Sequence, residues 1–502
     1  MTATAESRST TTPAPTGSLI DEAAVSGKIF IDGQWVPGSS QAPSVAPATG
    51  ETIATVGLAG PDDVARAAEG AARAQKAWAA TPHPQRAAVL RRAGQLWEQH
   101  AEEVMGWNVR EVGAIPPLAG FALHVTAAEC YEAASLPSAP RGTVLSSEEP
   151  RLSLAEQVPV GVVGVISPFN VPLILGIRAV APALALGNAV LLKPDPRTVM
   201  TGGVAFVRIF EEAGLPAGLL QLVPGGADVG EALVTDPRVR VIAFTGSTRA
   251  GRAVGELAGR HLKRAHLELG GNSAFLVRED ADVDKAVNLA TWGSFLHQGQ
   301  ICMTVGRHIV HESVFDEYVE KLAAKADSMH VGDPAAGQVH LGPLIDEVQR
   351  DRVHSLVQDA VAQGAQLRAG GTYEDLFYRP TVLAHTPKDA QAYCEEVFGP
   401  VASVVSYATD DEAVELASAT EYGLSLGIVS KDALGALELA RRIPTGIVHI
   451  NDQTVNDEAN TPFGGVGASG TGSRHGGAQA NVEAFTETRW ITLRREPGQY
   501  PL

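Results

Sequence analysis

The sequence predicts an α/β fold with two doubly wound α/β domains and a small additional β element. A chain of 502 residues is too long for one core of ordinary size, which favours two or three domains. Short apolar strands alternate with helices from residue 158 to 269, and a second such run follows from 273 to 450. Alternation of this kind is typical of parallel sheets with helices on both faces. Two β segments, 141–157 and 484–494, stand outside both runs.

Charge and composition exclude several classes of function. Acidic residues outnumber basic ones by 57 to 39, and the formal charge of -18 repels phosphate backbones, so no nucleic-acid partner is expected. The most apolar region, 158–192, is interrupted by prolines, glycine, asparagine and an arginine, so we expect no membrane span. The three cysteines form no Cys-x-x-Cys pair and no disulfide framework. We therefore expect a cytoplasmic protein with free thiols and no metal centre.

The first 157 residues predict a tail, a hairpin, a group of helices and a ribbon. Residues 1–26 begin with a Ser/Thr/Pro-rich stretch that has no apolar core of a signal peptide, which predicts a mobile tail. Two short strands around an Asp-Gly turn follow at 28–36, and helices fill much of 61–137. Residues 141–157 predict two strands about a Glu-Glu-Pro turn. Because a two-stranded ribbon is marginal alone, it should pair with another β segment, within the chain or between subunits.

The two alternating runs define the domain boundaries. Strands of the first run are predicted at 160–166, 189–192, 219–223, 239–244 and 266–269, with helices at 171–186, 201–213, 227–235 and 250–260. Strands of the second are predicted at 273–277, 306–311, 401–407 and 446–450, with helices at 283–296, 312–326, 346–363 and 432–441. We place the junction near Gly270 and Gly271. One domain then comprises 27–140 and 158–268, the second 269–465, and the β element 141–157 with 484–495.

Cys302 follows a Gly-Gln turn and is the candidate nucleophile. A buried cysteine is more often a packing residue, but here polar groups end two strands of the first run, Asn170 and Glu268. A fixed amide can stabilise an oxyanion, and a carboxylate at a cleft edge can act as a general base. The alternatives are that Asn170 caps the helix that follows and that Glu268 is solvated. Cys130 lies in a helix-like segment and Cys394 precedes two glutamates that raise a thiol pKa, so neither is expected to react.

A glycine-containing turn, Gly246-Ser-Thr-Arg-Ala-Gly251, joins a predicted strand to a helix. A glycine there lets the backbone approach a pyrophosphate, and the helix N-terminus offers free N–H groups. Because the spacing departs from Gly-x-Gly-x-x-Gly, a simple strand-to-helix turn is the alternative. A literal match at Gly465, Gly467 and Gly470 lacks a flanking strand and helix and is expected to be coincidental. Lys193 ends a strand where a ribose or phosphate can bind, or is a surface lysine.

Together these motifs resemble the NAD(P)-dependent aldehyde dehydrogenase superfamily, and the resemblance spans about 28 to 495 with the motifs in the family's order. They are Cys302 in Gly-Gln-x-Cys, Glu268 in Glu-Leu-Gly-Gly, Asn170 in Pro-Phe-Asn, Lys193-Pro194, Phe244-Thr-Gly-Ser-Thr248, Glu396-Val-Phe-Gly-Pro400 and Pro462-Phe-Gly-Gly465. Residues 161–170, 178–187 and 450–457 resemble the benzaldehyde dehydrogenase branch, with vanillin-type enzymes close by.

The resemblance implies a Rossmann-like cofactor domain, a catalytic domain and a bridging β element that builds homodimers or homotetramers. It implies that Cys302 is the nucleophile, Glu268 the base for water, and Asn170 an oxyanion donor together with the Cys302 N–H. Lys193 and Glu396 would hold the two riboses, Ser247 and the Gly246 turn the pyrophosphate, and Phe398 the nicotinamide ring. The complete set of implied cofactor-binding residues is Ile166, Ser167, Pro168, Phe169, Lys193, Gly225, Phe244, Gly246, Ser247, Gly251, Leu269, Glu396 and Phe398.

NAD is the expected cofactor, and NADP is possible. Related enzymes that strongly prefer NAD often carry a glutamate three residues after the strand-end lysine, where its carboxylate repels a 2′-phosphate. In this sequence that position is Pro196, between Asp195 and Arg197. Exclusion of NADP should therefore be weaker.

The expected function is oxidation of a benzaldehyde-like aromatic aldehyde to its carboxylic acid through a thiohemiacetal and thioester on Cys302, hydrolysed with Glu268 as base. Its alternatives are a vanillin-type or broad-specificity aldehyde dehydrogenase and a coenzyme A-acylating relative, against which Glu268 argues. A cysteine hydrolase that uses His297 or His308, and a non-catalytic nucleotide-binding protein, are rivals from other classes. Apolar pocket walls that suit an aromatic ring are expected from Val171, Leu175, Ile301, Met303 and Phe463.

Overall fold

The structure, a computed structural model, describes residues 17–500. In that range the strands are, in chain order, β1 (Lys28–Ile31), β2 (Gln34–Pro37), β3 (Ser40–Val45), β4 (Thr52–Leu58), β5 (Gly142–Val144), β6 (Leu152–Pro159), β7 (Val162–Ile166), β8 (Ala189–Lys193), β9 (Leu220–Leu222), β10 (Val239–Thr245), β11 (Arg264–Glu268), β12 (Ser273–Val277), β13 (Val305–His311), β14 (Gln366–Ala369), β15 (Tyr373–Glu374), β16 (Phe377–Tyr378), β17 (Thr381–Ala384), β18 (Val401–Tyr407), β19 (Ser425–Val429), β20 (Ile447–Ile450) and β21 (Thr486–Leu493).

The α-helices of the described residues are α1 (Glu22–Val25), α2 (Pro61–Ala80), α3 (His83–Gln99), α4 (Ala101–Val112), α5 (Pro116–Ala133), α6 (Pro172–Ala185), α7 (Ala205–Glu212), α8 (Ala227–Thr235), α9 (Thr248–Arg260), α10 (Val283–Phe295), α11 (Phe315–Asp327), α12 (Glu347–Ala362), α13 (Gln391–Cys394), α14 (Asp410–Ser418), α15 (Ala433–Ala440) and α16 (Ala478–Phe485). A π-helical turn, Met200–Val204, leads into α7.

The first sheet has seven strands in the order β11-β10-β7-β8-β9-β1-β2. Its five strands from β11 to β9 are parallel, and β1 and β2 add antiparallel at one edge. Strands β7 and β8 are buried along their whole length, as continuous apolar runs between two helical layers should be. The chain goes from β7 to β8 and β9 on one side and then crosses back to β10, so the strand order reverses between β7 and β10. Ligands bind at such reversals in open α/β sheets, at the carboxyl ends of the strands.

The second sheet also has seven strands, in the order β14-β17-β18-β13-β12-β19-β20. It is parallel except for β14. Separate apolar clusters cover its two faces, one with α10 and α11 and the other with α14 and α15. The two sheets confirm the predicted fold class of two doubly wound α/β domains.

The two β segments outside these domains pair with each other inside one chain. Strand β21 lies antiparallel to β6 over eight residue pairs, from Thr486↔Pro159 to Leu493↔Leu152, and β5 adds at the other edge of β6. Of the two pairings that the sequence left open, the structure shows the intramolecular one. The preceding helix, α16, packs against the first domain, where the Asn188 and His266 side chains bond the carbonyls of its last two residues.

Two differences between the structure and the sequence prediction concern the N-terminal tail and the interior of the second sheet. Residues 1–16 of the predicted tail lie outside the described range, but Leu19 and Ile20 are buried and donate their N–H groups to Glu103 at 2.7 and 2.9 Å. Strands β17 and β19 were not predicted, although both pair within the second sheet. They are four- and five-residue buried runs, which periodicity alone cannot distinguish from pieces of buried helix. No helix in residues 17–500 is long and apolar enough to cross a membrane.

Candidate active site

Four strand ends of the first sheet lie side by side at its carboxyl edge. Register pairs Thr245 of β10 with Glu268 of β11, and Ile166 of β7 with both Phe244 and Lys193. The Gly246 N–H donates to the Glu268 carbonyl at 3.0 Å, which fixes the turn after β10 against the end of β11. The sequence motifs predicted to meet at one edge therefore do so, because parallel strands end at the same edge.

Cys302 is presented by a loop of unusual backbone conformation between α10 and β13. His297, Gln298 and Gly299 have φ of 53°, 58° and 68°, a left-handed region that costs non-glycine residues energy. Gly299 is required on two grounds, since a Cβ atom there would also lie 2.1 Å from the Gly399 carbonyl oxygen. A strained segment of this kind persists only when its surroundings hold it.

Buried side-chain hydrogen bonds hold that loop. His297 Nε2 contacts the Asn170 carbonyl oxygen at 2.7 Å, and Gln298 Nε2 donates to the Pro343 carbonyl at 2.6 Å. The Ile345 N–H donates to Gln300 Oε1 at 3.1 Å. The loop is thus tied to both domains, which fixes Cys302 at their junction.

The Asn170 side chain faces this loop and does not cap a helix. Its Nδ2 donates to the Gln300 carbonyl at 2.7 Å, and the residue is buried. Helix α6 has Val171 at its N-cap position, with no side-chain capping bond, so the capping alternative is wrong. An amide nitrogen carries two hydrogens. The second N–H is therefore left for a ligand, and Asn170 lines the same pocket as Cys302.

The Cys302 thiol lies in surroundings that disfavour its charged form. Burial raises its pKa, and the carboxylates of Glu396 and Glu268 raise it further, while Arg178 opposes them. In residues 17–500 the Cys302 N–H donates no hydrogen bond, so it too is free to act on an oxyanion. Cys130 is fully buried and Cys394 is exposed, with its sulfur on the Lys388 carbonyl, so neither cysteine lies in this cleft.

Glu268 is buried, and neither of its carboxylate oxygens has a hydrogen-bond partner within the described residues. Burial raises its pKa well above the usual value, with Arg178 and Arg474 opposing the shift. Beside it lies a small void of about 10 Å³, which Arg178 and His475 also line. A cavity needs about 10–15 Å³ to hold one water, so this void is at the lower limit. The surroundings suit a carboxyl group that takes up a proton.

A pocket of about 320 Å³ opens at Cys302. All five residues predicted for its walls, Val171, Leu175, Ile301, Met303 and Phe463, line it. The sequence reasoning missed the half-exposed rings of Phe121 and Trp292, and also a polar wall. That wall consists of Arg178, Asp452, Gln453, Asn456 and Asp457.

Arg178 joins three distant parts of the chain at this wall. It is the one charged residue of α6, is only 3% exposed, and its Nε donates to Glu129 Oε1 of α5 at 3.2 Å. Its Nη2 donates to Asp457 Oδ1, and its guanidinium carbon lies 4.4 Å from the centre of the Phe463 ring. The cation is thus shared between two buried carboxylates. Burial raises the pKa of Glu129 to about 7, although Arg178 opposes the shift.

The residues predicted to bind the dinucleotide surround the carboxyl edge of the first sheet, several of them at glycine positions that admit no side chain. A Cβ atom on Gly246 would lie 2.6 Å from the Phe244 ring, one on Gly251 would lie 2.1 Å from Leu269, and one on Gly225 would lie 2.4 Å from Val229. Ser247 is the N-cap of α9 and accepts from the Ala250 N–H, so the helix N-terminus opens at the turn. These contacts explain the glycines by packing, and the open helix end fits a pyrophosphate.

The remaining predicted dinucleotide residues lie on both sides of this edge. Lys193 is buried at the end of β8 and is not a surface lysine; burial lowers its pKa, while Asp195 and Asp228 oppose this. Ile166, Ser167, Pro168 and Phe169 form the end of β7 and the turn after it, where the Ser167 N–H donates to the Lys193 carbonyl at 3.1 Å.

Glu396 and Phe398 face this edge from the second domain. Glu396 Oε1 accepts from the Gly271 N–H at 3.0 Å, and burial raises the pKa of its carboxyl to about 7. Phe398 has a φ of 54°, and its ring lies 5.9 Å from that of Phe169 between centroids. An aromatic floor, a buried lysine and an open helix end are compatible with a nicotinamide dinucleotide.

The charged side chains around Pro196 are paired with each other. Arg197 bonds Asp195 at 2.8 Å and Asp346 of the second domain at 2.5 Å, and its guanidinium carbon lies 4.3 Å from the centre of the Phe169 ring. The Asp195 carboxylate is therefore neutralised by Arg197. It is not a free negative charge that could repel a 2′-phosphate.

Neither histidine of the hydrolase alternative pairs with Cys302. His297 contacts the Asn170 carbonyl, while His308 contacts Ser294 and the Tyr318 hydroxyl inside the second domain. Burial lowers the pKa of His297 to about 4 and that of His308 to about 3. In the described part of the chain no group of three or more His, Cys, Asp or Glu side chains is placed to hold a metal ion.

The literal Gly-x-Gly-x-x-Gly at 465–470 forms a loop with a short 3₁₀ turn, Gly467–Ser469, and no strand-to-helix turn. This loop nevertheless touches the site. Gly470 forms a β-bridge with Glu268, and the Leu269 N–H donates to the Ser469 carbonyl at 2.9 Å. Its glycines therefore shape the side of the cleft next to the carboxylate.

Comparison with known proteins agrees with this architecture. Residues 35–491 match the aldehyde dehydrogenase family. The chain is 63% identical over 485 residues to a vanillin dehydrogenase of an Amycolatopsis species, covering 96% of this chain and all of the relative. It is 48% identical to a Pseudomonas putida benzaldehyde dehydrogenase named for NAD(+), covering 95% of this chain and 98% of the relative.

A solved structure is similar as well. The crystal structure of a salicylaldehyde dehydrogenase from Pseudomonas putida G7, complexed with salicylaldehyde, aligns with a TM-score of 0.91 at 35% identity, covering 95% of this chain and 99% of the other. Family match, curated relatives and solved structure agree over nearly the whole length. The chain belongs to the aldehyde dehydrogenase family.

Proposed function

We propose that this aldehyde dehydrogenase oxidises aromatic aldehydes to carboxylic acids with NAD+, through a thioester on Cys302. The observation that carries the proposal is the pocket at Cys302. It has a volume of about 320 Å³ and is lined by Asn170 together with aliphatic and aromatic side chains. A volume at the lower end of the range for small-molecule sites suits one ring. The vanillin, benzaldehyde and salicylaldehyde dehydrogenases that the chain resembles are named for aldehydes of this class.

In the first half of the reaction, the Cys302 thiol loses its proton to solvent and the sulfur adds to the aldehyde carbon. The oxyanion that forms accepts hydrogen bonds from the second Asn170 amide N–H and from the Cys302 N–H, which have no other partner among the described residues. Preorganised donors of this kind contribute about 2.7–4 kcal/mol to the stability of a transition state. When bound, NAD+ accepts the hydride of the thiohemiacetal, and a thioester remains on Cys302.

In the second half, Glu268 takes a proton from a water molecule as that water attacks the thioester carbon. The C–S bond breaks, the carboxylic acid leaves, and Glu268 passes its proton to the sulfur, which restores the Cys302 thiol. Glu268 suits this role because its carboxylate oxygens have no hydrogen-bond partner and burial raises its pKa, which makes it a stronger base than an exposed glutamate. Transfer to coenzyme A would not need this base.

NAD+ would be held by the edge of the first sheet together with Glu396 and Phe398 of the second domain. Lys193 and Glu396 would bind the two riboses and Ser247 the pyrophosphate. NADP+ use is part of the proposal, because Asp195 is paired with Arg197 and Pro196 supplies no carboxylate.

The test measures reduced cofactor formation with benzaldehyde, vanillin and hexanal, each with NAD+ and NADP+. The aromatic aldehydes with NAD+ should give the highest kcat/KM, and Cys302→Ala should give no turnover. A preference for hexanal would contradict the aromatic assignment. Formation of an acyl-coenzyme A product when coenzyme A is added would favour the acylating alternative.

A homodimer or homotetramer in the cytoplasm is also part of the proposal. Within residues 17–500 no further strand pairs with either edge of the three-stranded sheet β5-β6-β21, and its side chains Val144, Trp490 and Leu493 are 73%, 65% and 63% exposed. Exposed apolar groups at an open sheet edge are typical of surfaces that pair with another chain. The three unpaired thiols suit a reducing compartment. Light scattering at micromolar concentration should give two or four times the mass of 52.4 kDa.

A further inference from the structure

We propose that Arg178 and Asp457 form a recognition pair for a hydroxyl group on the ring of the substrate. Hydroxylated aryl aldehydes would then be preferred over counterparts that carry an alkyl group of similar size at the same ring position. The inference rests on the proposed function and adds the feature of the ring that the pocket selects.

The first step is the hydrogen-bond balance of Arg178. A guanidinium has five N–H donors and no acceptor. Nε is used by Glu129 and Nη2 by Asp457, but Nη1 is buried and has no partner within residues 17–500. Leaving a buried charged donor unpaired is costly. Because Arg178 lines the pocket at Cys302, a ligand oxygen in that pocket is a fitting partner.

The second step is the acceptor beside it. Asp457 lines the same pocket, and Arg178 fixes its carboxylate through Oδ1. A donor and an acceptor thus stand next to each other on one wall. A hydroxyl group satisfies both, since its oxygen accepts from Nη1 and its O–H donates to the carboxylate. A methyl group of similar size satisfies neither.

The third step is charge. Arg178 is one cation shared between two carboxylates, Glu129 and Asp457. An anionic ring substituent would meet more negative than positive charge at this wall, so the pair selects a neutral hydroxyl. The apolar walls and the Phe463 ring, which also contacts the guanidinium, accommodate the carbon skeleton. Recognition therefore depends on one hydrogen-bonding group in an otherwise apolar site, an arrangement that discriminates well against analogues lacking that group.

The competing explanation is that the free N–H serves Glu268, because Arg178 also lines the void beside that carboxylate. In that case, loss of Nη1 would slow hydrolysis of every thioester alike. Substrate selectivity would not change. The two explanations therefore predict different outcomes for the ratio of two substrates measured on the same enzyme.

The first experiment uses the unmodified enzyme with saturating NAD+, at a pH where the phenols are neutral. Values of kcat/KM are measured for the three hydroxybenzaldehydes and the three methylbenzaldehydes. For at least one ring position the hydroxyl compound should be preferred about tenfold to 100-fold, the range expected when a hydrogen bond to a charged group is gained. Equal values at all three positions would overturn the inference, while turnover of benzaldehyde itself would leave the proposed function standing.

The second experiment repeats the comparison with Arg178→Lys. A lysine keeps a positive charge between the two buried carboxylates but cannot supply the guanidinium fork. The preference should fall to about twofold or less, and a retained preference would overturn the inference. Arg208→Lys is the matched control, because it makes the same exchange at an arginine that bonds Glu211 away from the pocket and should leave the ratio unaltered.

A ratio measured on one preparation does not depend on the fraction of folded enzyme, so partial loss of stability cannot imitate the result. If the lysine variant does not fold, Asp457→Asn gives the same test, because it keeps an oxygen for Arg178 and removes the charged acceptor. The hydroxyl preference should again fall, and an unchanged ratio would overturn the inference.

Discussion

Replacing Glu268 by glutamine should separate the two halves of the reaction. The substitution keeps the size of the side chain and removes the group proposed to take a proton from water. Formation of the thioester does not use that group, so the first turnover should still produce one reduced cofactor per active site. A positioned general base contributes about 10²–10⁴-fold to a rate, so steady-state turnover should fall by that factor, about 2.7–5.4 kcal/mol at 1.36 kcal/mol per tenfold.

The pH dependence should follow from the raised pKa of Glu268. Burial raises that pKa well above its usual value, so the basic form accumulates only in a pH window above that of an exposed glutamate. Steady-state turnover of the unmodified enzyme should increase over that window. Glu268→Gln should lose this dependence, because the amide does not titrate.

The same substitution should affect stability with a defined sign. The folded protein binds a proton more tightly at Glu268 than the unfolded chain does, whose glutamate pKa is about 4.3. The free energy of unfolding therefore falls as the pH rises above about 4.3, and the loss is complete above the folded pKa. The Glu268→Gln variant has no titrating group at this position, so its free energy of unfolding should exceed that of the wild type at high pH. The difference in free energy of unfolding should be about 1–3 kcal/mol, because a buried charged group that has no hydrogen-bond partner in residues 17–500 is removed.

Rapid mixing with benzaldehyde and excess NAD+ measures the burst, and urea unfolding at pH 6 and pH 9 measures the stability. Glu396→Gln is the matched control, because burial also raises the pKa of that carboxyl, to about 7, yet its predicted partner is the cofactor ribose. This variant should raise the KM for NAD+. At saturating NAD+ its steady-state rate should not fall relative to the rate of its first turnover. An unchanged steady-state rate in Glu268→Gln, or a lost burst, would refute the assignment of Glu268 as the base.

Four substitutions and one chemical reaction test the rest of the site. Cys302→Ala should abolish aldehyde oxidation, whereas Cys394→Ala should retain it, as measured by cofactor reduction. Asn170→Ala should lower kcat by about 10²–10³-fold, the effect of removing one oxyanion donor, with little change in the KM for NAD+. Lys193→Met should raise the KM for NAD+ and leave the size of the burst at saturating NAD+ unchanged. Alkylation of Cys302 by iodoacetamide without cofactor should be slow at pH 7 and accelerate with rising pH, because burial and three carboxylates, Glu396, Glu268 and Asp457, raise the thiol pKa.

The residues of the site that position in the predicted sheet is enough to locate are those at a strand end. Asn170, Lys193 and Glu268 follow apolar runs of the first domain, and parallel strands bring such positions to one edge without any knowledge of side-chain packing. Asn170 does not cap α6, whose N-cap is Val171, and its side chain bonds the nucleophile loop instead. That contact spans 130 residues of sequence, so no local pattern reveals it.

The polar wall of the pocket could not be predicted for the same reason. Arg178 stands in a helix whose other residues are apolar or small, and its partners Glu129 and Asp457 lie 49 and 279 residues away. Sequence periodicity assigns such an arginine to the exposed face of a helix. Arg178 becomes a buried cation, paired with two carboxylates, only because α5, α6 and the loop after β20 pack together.

The electrostatics of the cleft argue for an order of events. Glu268 and Glu396 both raise the pKa of Cys302, and the cation that opposes them, Arg178, is already shared with Glu129 and Asp457. A thiolate is therefore disfavoured until another positive group comes close. The oxidised nicotinamide ring carries a positive charge, and Phe398, predicted to contact that ring, lies two residues after Glu396. Binding of NAD+ before attack on the aldehyde is thus the order that these charges favour, and it keeps the nucleophile protonated while the cleft is open to water.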